Sequence, residues 1–418
     1  MDIVFMAHYA GSPQHGMVYG HYYLAREWVR MGHKVTIIAA GFAHTRHRQP
    51  DLQSEPITFE NVDGIDYLWI RVPKYRAADR LGRVRNILGF VAQTWLRRLP
   101  LFRADMVICS SHYPFAIHPA RSLAKRLGAK LVFEVRDLWP LTLIELGGAR
   151  TSHPFIRAMQ WSEDYAYRTA DSVVSVLENA RDYMIAHGMR PNKFSFVPNG
   201  VDLSESAFSE PLSETHVAVL DRLRAEHSFL VGYAGRVGLA NALQSLVGAA
   251  ALCDGNDLHV VILGDGSHVV ELRSQAERLG IADRVTFLGS VPKYQVNEFL
   301  QRMDVLYLGL QSQPLFRFGV SPTKLNDYML AAKPIICAID VLGETISEIG
   351  AGIGCAAEDI SAIKNAIIAL RRLNSEERRE MGRRGYEWIL ANRDYRVLAE
   401  RFLLGTAVLH DSRESARR

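Results

Sequence analysis

The chain has 418 residues, of which 48% are hydrophobic and 22% are charged. This length predicts two domains, because a single core rarely serves more than about 250–300 residues. The composition is typical of a globular protein, and no apolar run approaches the roughly 20 residues that a membrane-spanning helix needs. The net charge of +4 comes without any segment resembling a nucleic-acid-binding module, so no nucleic acid partner is expected.

In chain order, the first half alternates apolar runs with amphipathic stretches. The opening MDIVFMAHYAGS has no basic start, which predicts a strand rather than a signal peptide. Later apolar runs are HKVTIIAA, IDYLWIRV, DMVICSS, KLVFEVRD, SVVSVL and KFSFVPNG. This alternation predicts a parallel sheet covered by helices on both faces. The four cysteines form no Cys-x-x-Cys pair, which predicts reduced thiols in a cytoplasmic protein.

Residues 71–103 are strongly basic, with nine Arg or Lys and one acidic residue. Within this segment, apolar residues recur at helical spacing: Ile87, Leu88, Val91, Trp95 and Leu99. A basic amphipathic helix with an aromatic residue suits an anionic membrane surface. The alternative is a helix packed on the sheet with its arginines in water.

The second half begins with a polar segment, 204–228, which predicts a linker with a short helix. A second alternating series follows, with the apolar runs FLVGYAG, LHVVILG, RVTFLG, DVLYLGL and PIICAI, and a long helical tail ends the pattern. We therefore expect two doubly wound α/β domains facing each other across a cleft. Ligands in such sheets bind at the carboxyl ends of the strands.

Two glycine-rich turns follow strands of the second series. YAGRVG places Gly235 and Gly238 around Arg236, and LGDGS contains Gly264 and Gly266. Glycines let backbone N–H groups approach a phosphate, and arginine adds a fork of donors. The alternative is that such turns are glycine-rich for steric reasons alone. Neither turn matches the G-x-G-x-x-G or the P-loop pattern.

Candidate residues of the first half follow its strands. The loop after the first strand carries His8, Gly11, His15, Gly16, Gly20 and His21, and could equally be an irregular loop with solvated histidines. FEVRD ends a strand with Glu134, Arg136 and Asp137, where a Glu134–Arg136 ion pair is the structural alternative. His112 and His118 follow another strand, and we expect both to face the cleft.

The stretch SPTKLNDYMLAAKP predicts a helix that begins with Ser321 as N-cap and Pro322 as first residue. Lys324 and Asp327 share the face opposite the apolar one, and could form an ordinary i,i+3 ion pair. They could instead belong to an anion site at the helix start. No Asp-x-Asp pair follows a strand, so no metal is expected, and any diphosphate must be met by cations and helix ends.

The motifs VPNGVD, YAGRVG, VILGDGS, VTFLGSVPKYQVNEFL and DYMLAAKPII occur in this order between residues 197 and 336. Together they closely resemble a family-4 retaining glycosyltransferase of the GT-B fold. HYAGSPQHGM, EVRDLWP and SPTKLNDYM look like the WbuB-like subgroup, which builds bacterial O-antigen, capsule and exopolysaccharide units. The resemblance implies an acceptor domain at 1–203, a donor domain at 204–385, and a last helix, 386–410, that packs back on the first domain.

The resemblance also assigns roles. Arg236 matches the arginine that contacts the donor diphosphate, Asp327 the second of two glutamates, and Val291 the place where the base is read. The first glutamate falls near Gly319 and is absent. The lysine that usually follows the arginine is replaced by Ala240 and Asn241, and Lys324 is placed to substitute for it. The histidine that many relatives carry after the FEVRD strand is Arg136 here.

The expected activity is transfer of a sugar from a UDP-linked donor to a lipid-linked saccharide, with retention, and an N-acetylated amino sugar is one candidate. Donor binding is assigned to Gly16, Gly235, Arg236, Gly266, Val291, Ser321, Thr323, Lys324 and Asp327. Catalysis is assigned to Arg236, Lys324, Glu134 and Arg136, and the acceptor side to His15, His112 and Asp137. No cofactor is expected. The protein is expected in the cytoplasm, with residues 71–103 on the inner membrane surface. The alternatives are a GT-B-fold sugar-nucleotide epimerase and an inactive nucleotide-binding scaffold.

Overall fold

The computed structural model describes residues 1–16, 20–52, 55–76, 79–97, 99–206 and 210–407. The chain divides into two compact units. The N-terminal unit contains Met1–Asn199 together with the chain from Tyr395 onward, and the C-terminal unit contains Gly200–Asp394.

The sheet of the N-terminal unit has eight strands in the order β3-β4-β2-β1-β5-β6-β7-β8. They are β1 (Asp2–Met6), β2 (Lys34–Ala40), β3 (Ile57–Val62), β4 (Ile65–Ile70), β5 (Met106–Ser110), β6 (Lys130–Val135), β7 (Ser172–Ser175) and β8 (Phe194–Phe196). All neighbours are parallel except β3 and β4, which form an antiparallel hairpin. The central strands are buried along nearly their whole length, as expected of a parallel sheet covered on both faces.

The first six helices connect these strands. They are α1 (Gly20–Arg30), α2 (Arg80–Leu96), α3 (Ile117–Leu127), α4 (Leu141–Glu145), α5 (Pro154–Thr169) and α6 (Arg181–Ala186). Helix α2 carries the basic segment. Its apolar residues do not form one face: Phe90 and Val91 are buried, whereas Leu88 and Trp95 are exposed. The expected single stripe is therefore wrong, and Leu99 lies beyond the helix in a buried position.

The sheet of the C-terminal unit has six parallel strands in the order β11-β10-β9-β12-β13-β14. They are β9 (Phe229–Ala234), β10 (Leu258–Leu263), β11 (Val285–Gly289), β12 (Val305–Gly309), β13 (Ile335–Ala338) and β14 (Gly352–Cys355). The helices are α7 (Leu203–Ser206), α8 (Glu214–Glu226), α9 (Leu243–Ala251), α10 (Val269–Arg278), α11 (Val296–Gln301), α12 (Thr323–Leu330), α13 (Asp340–Ile349), α14 (Ile360–Arg372) and α15 (Ser375–Arg393). Separate hydrophobic clusters pack on the two faces of this sheet.

The last described helix, α16 (Tyr395–Ala407), belongs to the N-terminal unit. Trp28 of α1 donates its indole N–H to the carbonyl of Ala399 at 3.1 Å, and its ring packs against Phe402. The prediction of one helix over 386–410 is wrong in its bounds. The helical tail breaks at Asp394, whose extended backbone pairs with Val201 in an isolated bridge.

Candidate functional site

In both sheets the strand order reverses direction beside the first strand of the unit. The reversal lies between β1 and β5 in the N-terminal unit, and between β9 and β12 in the C-terminal unit. The loops that leave the carboxyl ends of such strand pairs form the usual ligand site of doubly wound folds. Most of the candidate residues lie on these loops, so each unit has a candidate edge of its own.

At the C-terminal unit's edge, the two glycine-rich turns interlock through their backbones. Gly235 donates its N–H to Leu263 at 2.9 Å, and Val237 donates to Asp265 at 2.9 Å. A Cβ on Gly264 would lie 1.8 Å from the carbonyl oxygen of Gly235, and one on Gly266 would lie 2.0 Å from that of Val237. Close packing of the turns therefore requires these glycines, as the steric alternative predicted.

Gly235 has a different reason to be glycine. A Cβ at this position would lie 2.5 Å from Cε of Lys324, because the lysine side chain passes directly over the turn. The ammonium group donates hydrogen bonds to the hydroxyl of Tyr233, at 2.9 Å, and to the side-chain carbonyl of Asn241. Desolvation lowers the pKa of Lys324 to about 8. The position of Asn241 is where the resemblance placed the substitution by Lys324, whereas the sequence interpretation missed Tyr233, which lies 91 residues away in the chain.

Lys324 and Asp327 do not form the i,i+3 ion pair. The Asp327 carboxylate instead pairs with the exposed ammonium of Lys293, from the turn after β11. The predicted helix start is also wrong, because Pro322 is extended (ψ 125°) and α12 begins at Thr323, so Ser321 is not the N-cap. The apolar face is confirmed, since Leu325, Tyr328 and Met329 are buried.

The remaining donor-side candidates lie on the same edge. The Arg236 side chain is exposed, and its carbonyl accepts from Tyr233 and Asn241. Val291 is half-buried against the core, and Thr323 is exposed. Gly319, where a glutamate was expected, has φ 104°, a region that favours glycine. A glutamate here would therefore require a different loop backbone.

At the N-terminal unit's edge, polar side chains are buried and mutually bonded. His21 Nε2 lies 2.9 Å from Ser110 Oγ and 3.1 Å from Glu134 Oε2, and Glu134 Oε1 lies 3.3 Å from Arg136 Nη1. Arg136 Nη2 also donates to Asn199 at 2.7 Å. Although burial favours the neutral acid, His21 and Arg136 hold the pKa of Glu134 well below its usual range. The Glu134–Arg136 ion pair is therefore present.

His8 is bonded at both ring nitrogens. Asn86 of α2 donates its amide to Pro73 and Phe42, so its oxygen faces His8 Nε2 at 2.8 Å. The Nε2 atom therefore carries the proton, and Nδ1 accepts from the Tyr113 hydroxyl at 2.6 Å. Burial lowers the pKa of His8 to about 3. Asn86 was not predicted from the sequence, because its partner lies 78 residues away.

Of the other candidate histidines, His15 and His112 lie at this edge, whereas His118 does not. His15 is buried, 2.7 Å from Ser12 Oγ and 3.3 Å from Glu60. The alternative of solvated loop histidines is therefore wrong for His8, His15 and His21. His112 lies beside His21, with ring centroids 5.1 Å apart, whereas Asp137 is exposed. His118 does not join this edge. Its ring stacks on Trp95 and Trp161.

Gly16 adopts φ 63° after the 3-10 turn Pro13–His15. A Cβ there would meet the His47 side chain at 2.8 Å, so packing and backbone both favour glycine. Within the described ranges, no group of three His, Cys, Asp or Glu side chains is arranged to hold a metal ion. The independence of metal remains a prediction.

Comparisons with known proteins assign both units. Residues 15–200 match the family described as glycosyl transferase 4-like domain, and residues 221–388 match glycosyl transferases group 1. The chain is 23% identical over 319 residues to the probable glycosyltransferase WbjE of Pseudomonas aeruginosa, covering 75% of this chain and 78% of that protein.

Solved structures agree in fold. The Anabaena protein HepE, in complex with UDP and glucose, superposes with a TM-score of 0.63 at 16% identity, covering 98% of this chain and 100% of that chain. WaaG, a glycosyltransferase involved in lipopolysaccharide biosynthesis, superposes with a TM-score of 0.61 at 13% identity, covering 98% and 99%. The fold is therefore GT-B, with two Rossmann-like domains.

Proposed function

Since both of its domains match glycosyltransferase families, this chain is a group 1 glycosyltransferase, and we propose that its donor is a UDP-linked sugar bound at the carboxyl edge of β9 and β12. The proposed acceptor is a lipid-linked saccharide of bacterial surface polysaccharide synthesis, in keeping with the resemblance to the WbuB-like subgroup. UDP is favoured because HepE was solved with UDP and glucose.

One observation carries the donor assignment. The Lys324 ammonium bonds Tyr233 of β9 and Asn241 of the loop after β9, where relatives carry a lysine after the arginine. A cation is therefore present at this place although it comes from α12. Together with the exposed Arg236, it would stabilise the negative charge that develops on the leaving diphosphate.

The proposed reaction retains configuration and requires no metal, so these cations and backbone N–H groups carry the electrostatic stabilisation. Lys324 is desolvated and half-neutral near pH 8, and a bound diphosphate would favour its charged form. Asp327 would exchange its ion pair with Lys293 for the ribose hydroxyls. Thr323 and Ser321 are proposed to line the phosphates at the start of α12, with Val291 near the base.

The acceptor is proposed to bind at the edge of β1 and β5. Arg136 is partly exposed and fixed between Glu134 and Asn199, which suits it to orient a saccharide hydroxyl. Glu134 is ionised and buried, so its proposed part is to fix Arg136 and to accept a hydrogen bond. His112, His15 and Asp137 stay proposed acceptor-side residues, His15 through the loop that it anchors.

A membrane surface is the proposed site of the lipid carrier. Leu81, Leu88 and Trp95 recur every seven residues on α2 and are 73%, 49% and 53% exposed. The sequence from 80 to 103 contains six arginines and no acidic residue. An exposed apolar stripe among arginines fits the anionic inner membrane face. In the described part of the chain, no helix is long and apolar enough to cross a membrane.

Calorimetric titration with UDP, GDP, ADP and dTDP tests the donor site. We expect selective UDP binding that weakens about tenfold or more in Lys324→Ala, because a charge-assisted contact is lost. Lys125→Ala, an exposed lysine of the other unit, is the control and should bind as the wild type does. Equal affinity of Lys324→Ala and wild type would overturn the assignment.

The replacement of the first glutamate by Gly319 favours one rival, a nucleotide-binding scaffold without activity. Transfer of sugar from UDP-sugars to a bacterial lipid extract distinguishes the enzyme from the inactive scaffold. Transfer that is abolished in Arg236→Ala and Lys324→Ala, with folding intact, supports the enzyme. Epimerised nucleotide sugar formed without any acceptor would instead support an epimerase.

A further inference from the structure

The segment between β12 and α12, residues 310–322, is the donor loop, because it leads from the strand-order reversal to Lys324. Its first three residues are fixed by successive backbone N–H groups. Leu310 donates to the carbonyl of Ala338 at 3.3 Å, and Gln311 to that of Ala240 at 3.0 Å. Ser312 donates to Oε2 of Glu358 at 2.9 Å. Of these three hydrogen bonds, only the third is accepted by a side chain. It alone can therefore be removed by a side-chain substitution.

Glu358 lies in the turn between β14 and α14, one residue before the N-cap Asp359. Its backbone has φ 60°, a conformation that glycine adopts readily and glutamate rarely. The chain thus tolerates strain at a position where glycine would relieve it. The side chain spans to Ser312 with one oxygen and accepts from Gln244 of α9 with the other, at 3.4 Å. It therefore ties the start of the donor loop to the turn before α14, with a longer and weaker contact to α9.

Among the described residues, the other polar contact of Ser312 is too weak to replace this tie. Ser312 Oγ lies 3.4 Å from Oδ2 of Asp340, which is at the limit of a hydrogen bond. Ser312 and Asp340 are both exposed, so water competes for that contact. Loss of the Glu358 carboxylate would leave the anchors at Leu310 and Gln311 and free the donor loop from Ser312 onward.

We propose that Glu358 is a positioning residue for donor binding. It acts through Ser312 by holding the donor loop against the β9 turn, so that α12 presents Lys324 at the Arg236 loop. The inference rests on the proposed function of this edge. It gives a role to a glutamate whose backbone adopts the left-handed conformation.

Three variants separate the side chain from the backbone. Glu358→Gly relieves the φ strain and removes the carboxylate, Glu358→Ala removes the carboxylate alone, and Glu358→Gln keeps one oxygen acceptor. We expect Glu358→Gly to keep or raise the melting temperature of the wild type, while its Kd for UDP rises about tenfold. Glu358→Gln should bind UDP within about threefold of the wild type. A purely structural residue would change melting temperature and leave UDP affinity unchanged.

Trypsin cleavage after the exposed Arg317 reports the donor loop directly. It should be faster in Glu358→Gly and Glu358→Ala than in wild type and Glu358→Gln. Wild-type UDP affinity and cleavage rate in Glu358→Gly would overturn the inference. Lys324→Ala, titrated in parallel, keeps the two proposals distinct. If Lys324→Ala loses affinity and Glu358→Gly does not, only the positioning proposal fails; if neither loses affinity, the donor site fails as well.

Discussion

The carboxyl edges of the two sheets are built in different ways. The N-terminal edge is made of buried side chains that bond each other, including His8, His21 and Glu134. The C-terminal edge is made of glycine turns whose backbones interlock, with Lys324 crossing above them. The first arrangement fixes protonation states by burial, and the second exposes cations and backbone to a ligand. The two edges should therefore respond differently to pH and to small changes of side-chain volume.

The largest effect is expected at the glycine turns. In Gly264→Ala the new Cβ would overlap the carbonyl of Gly235, at a φ of 137° that alanine does not adopt. We expect a loss of about 3 kcal/mol or more in the free energy of unfolding. Gly280→Ala is the matched control, because its φ of 70° carries the backbone cost but nothing lies within 4 Å. It should lose about 1 kcal/mol. Urea unfolding followed by circular dichroism measures both, and equal losses would contradict the packing argument.

Acid should act mainly on the N-terminal unit. Burial lowers the pKa of His8, His15 and His21, so the unfolded chain takes up protons near pH 6.5 that the folded unit refuses. The histidine contribution to stability is therefore complete above pH 6.5 and is lost as pH falls, by up to about 1.4 kcal/mol per histidine per pH unit. Glu163 opposes this between about pH 8 and 4.5, because burial raises its pKa to about 8, but three histidines outweigh one carboxyl. Glu134, with its depressed pKa, adds a loss below about pH 4.5.

Tryptophan fluorescence can follow this loss in the N-terminal unit. Five of the six tryptophans lie there, and only Trp388 lies in the C-terminal unit. The urea midpoint should fall between pH 7.5 and 5.5. His21→Gln, which keeps an amide donor for Glu134, should make the decline shallower. Equal declines in wild type and His21→Gln would contradict the assignment of the titration to the buried histidines.

At the C-terminal edge, alkaline rather than acidic pH should matter, and it should weaken UDP binding. Burial lowers the pKa of Lys324 to about 8, so the unliganded lysine loses its charge above this pH. Because a diphosphate favours the charged form, UDP affinity should decline as pH rises from 7 to 9.5, by about 1 kcal/mol or more. Titrations of wild type and Lys324→Ala across this range test it. A decline of the same size in the variant would assign the titration to another group.

The smallest effect on stability is expected on the outer face of α2. Leu88→Ser and Trp95→Ser remove exposed side chains, so the free energy of unfolding should change by less than about 0.5 kcal/mol for Leu88→Ser. Trp95 also stacks on His118, so its loss should be somewhat larger. Both variants should sediment less with vesicles containing anionic lipid. Phe59→Ser, exposed on the edge strand β3, is the control and should sediment as the wild type does.

Strand and helix alternation was readable from sequence because buried parallel strands are continuous apolar runs. Strand β3 was missed because its half-exposed pattern, ITFENV, lacks such a run, and β14 because GIGC is short and glycine-rich. At the sites, residue types and loops were predictable from motifs. Partners were not, because pairs such as His8–Asn86 and Lys324–Asn241 depend on side-chain packing between segments 78 and 83 residues apart.

The packing of α16 sets the order in which the two domains can complete their folding during synthesis. Trp28 bonds to Ala399, 371 residues later, so the N-terminal domain cannot be completed until the C-terminal domain has been synthesised. During translation the contiguous C-terminal domain can fold first, while the surface of α1 that contacts Phe402 stays exposed. The N-terminal domain is thus synthesised first but completes its folding last. Its exposed apolar surface on α1 is where the nascent chain needs protection from aggregation.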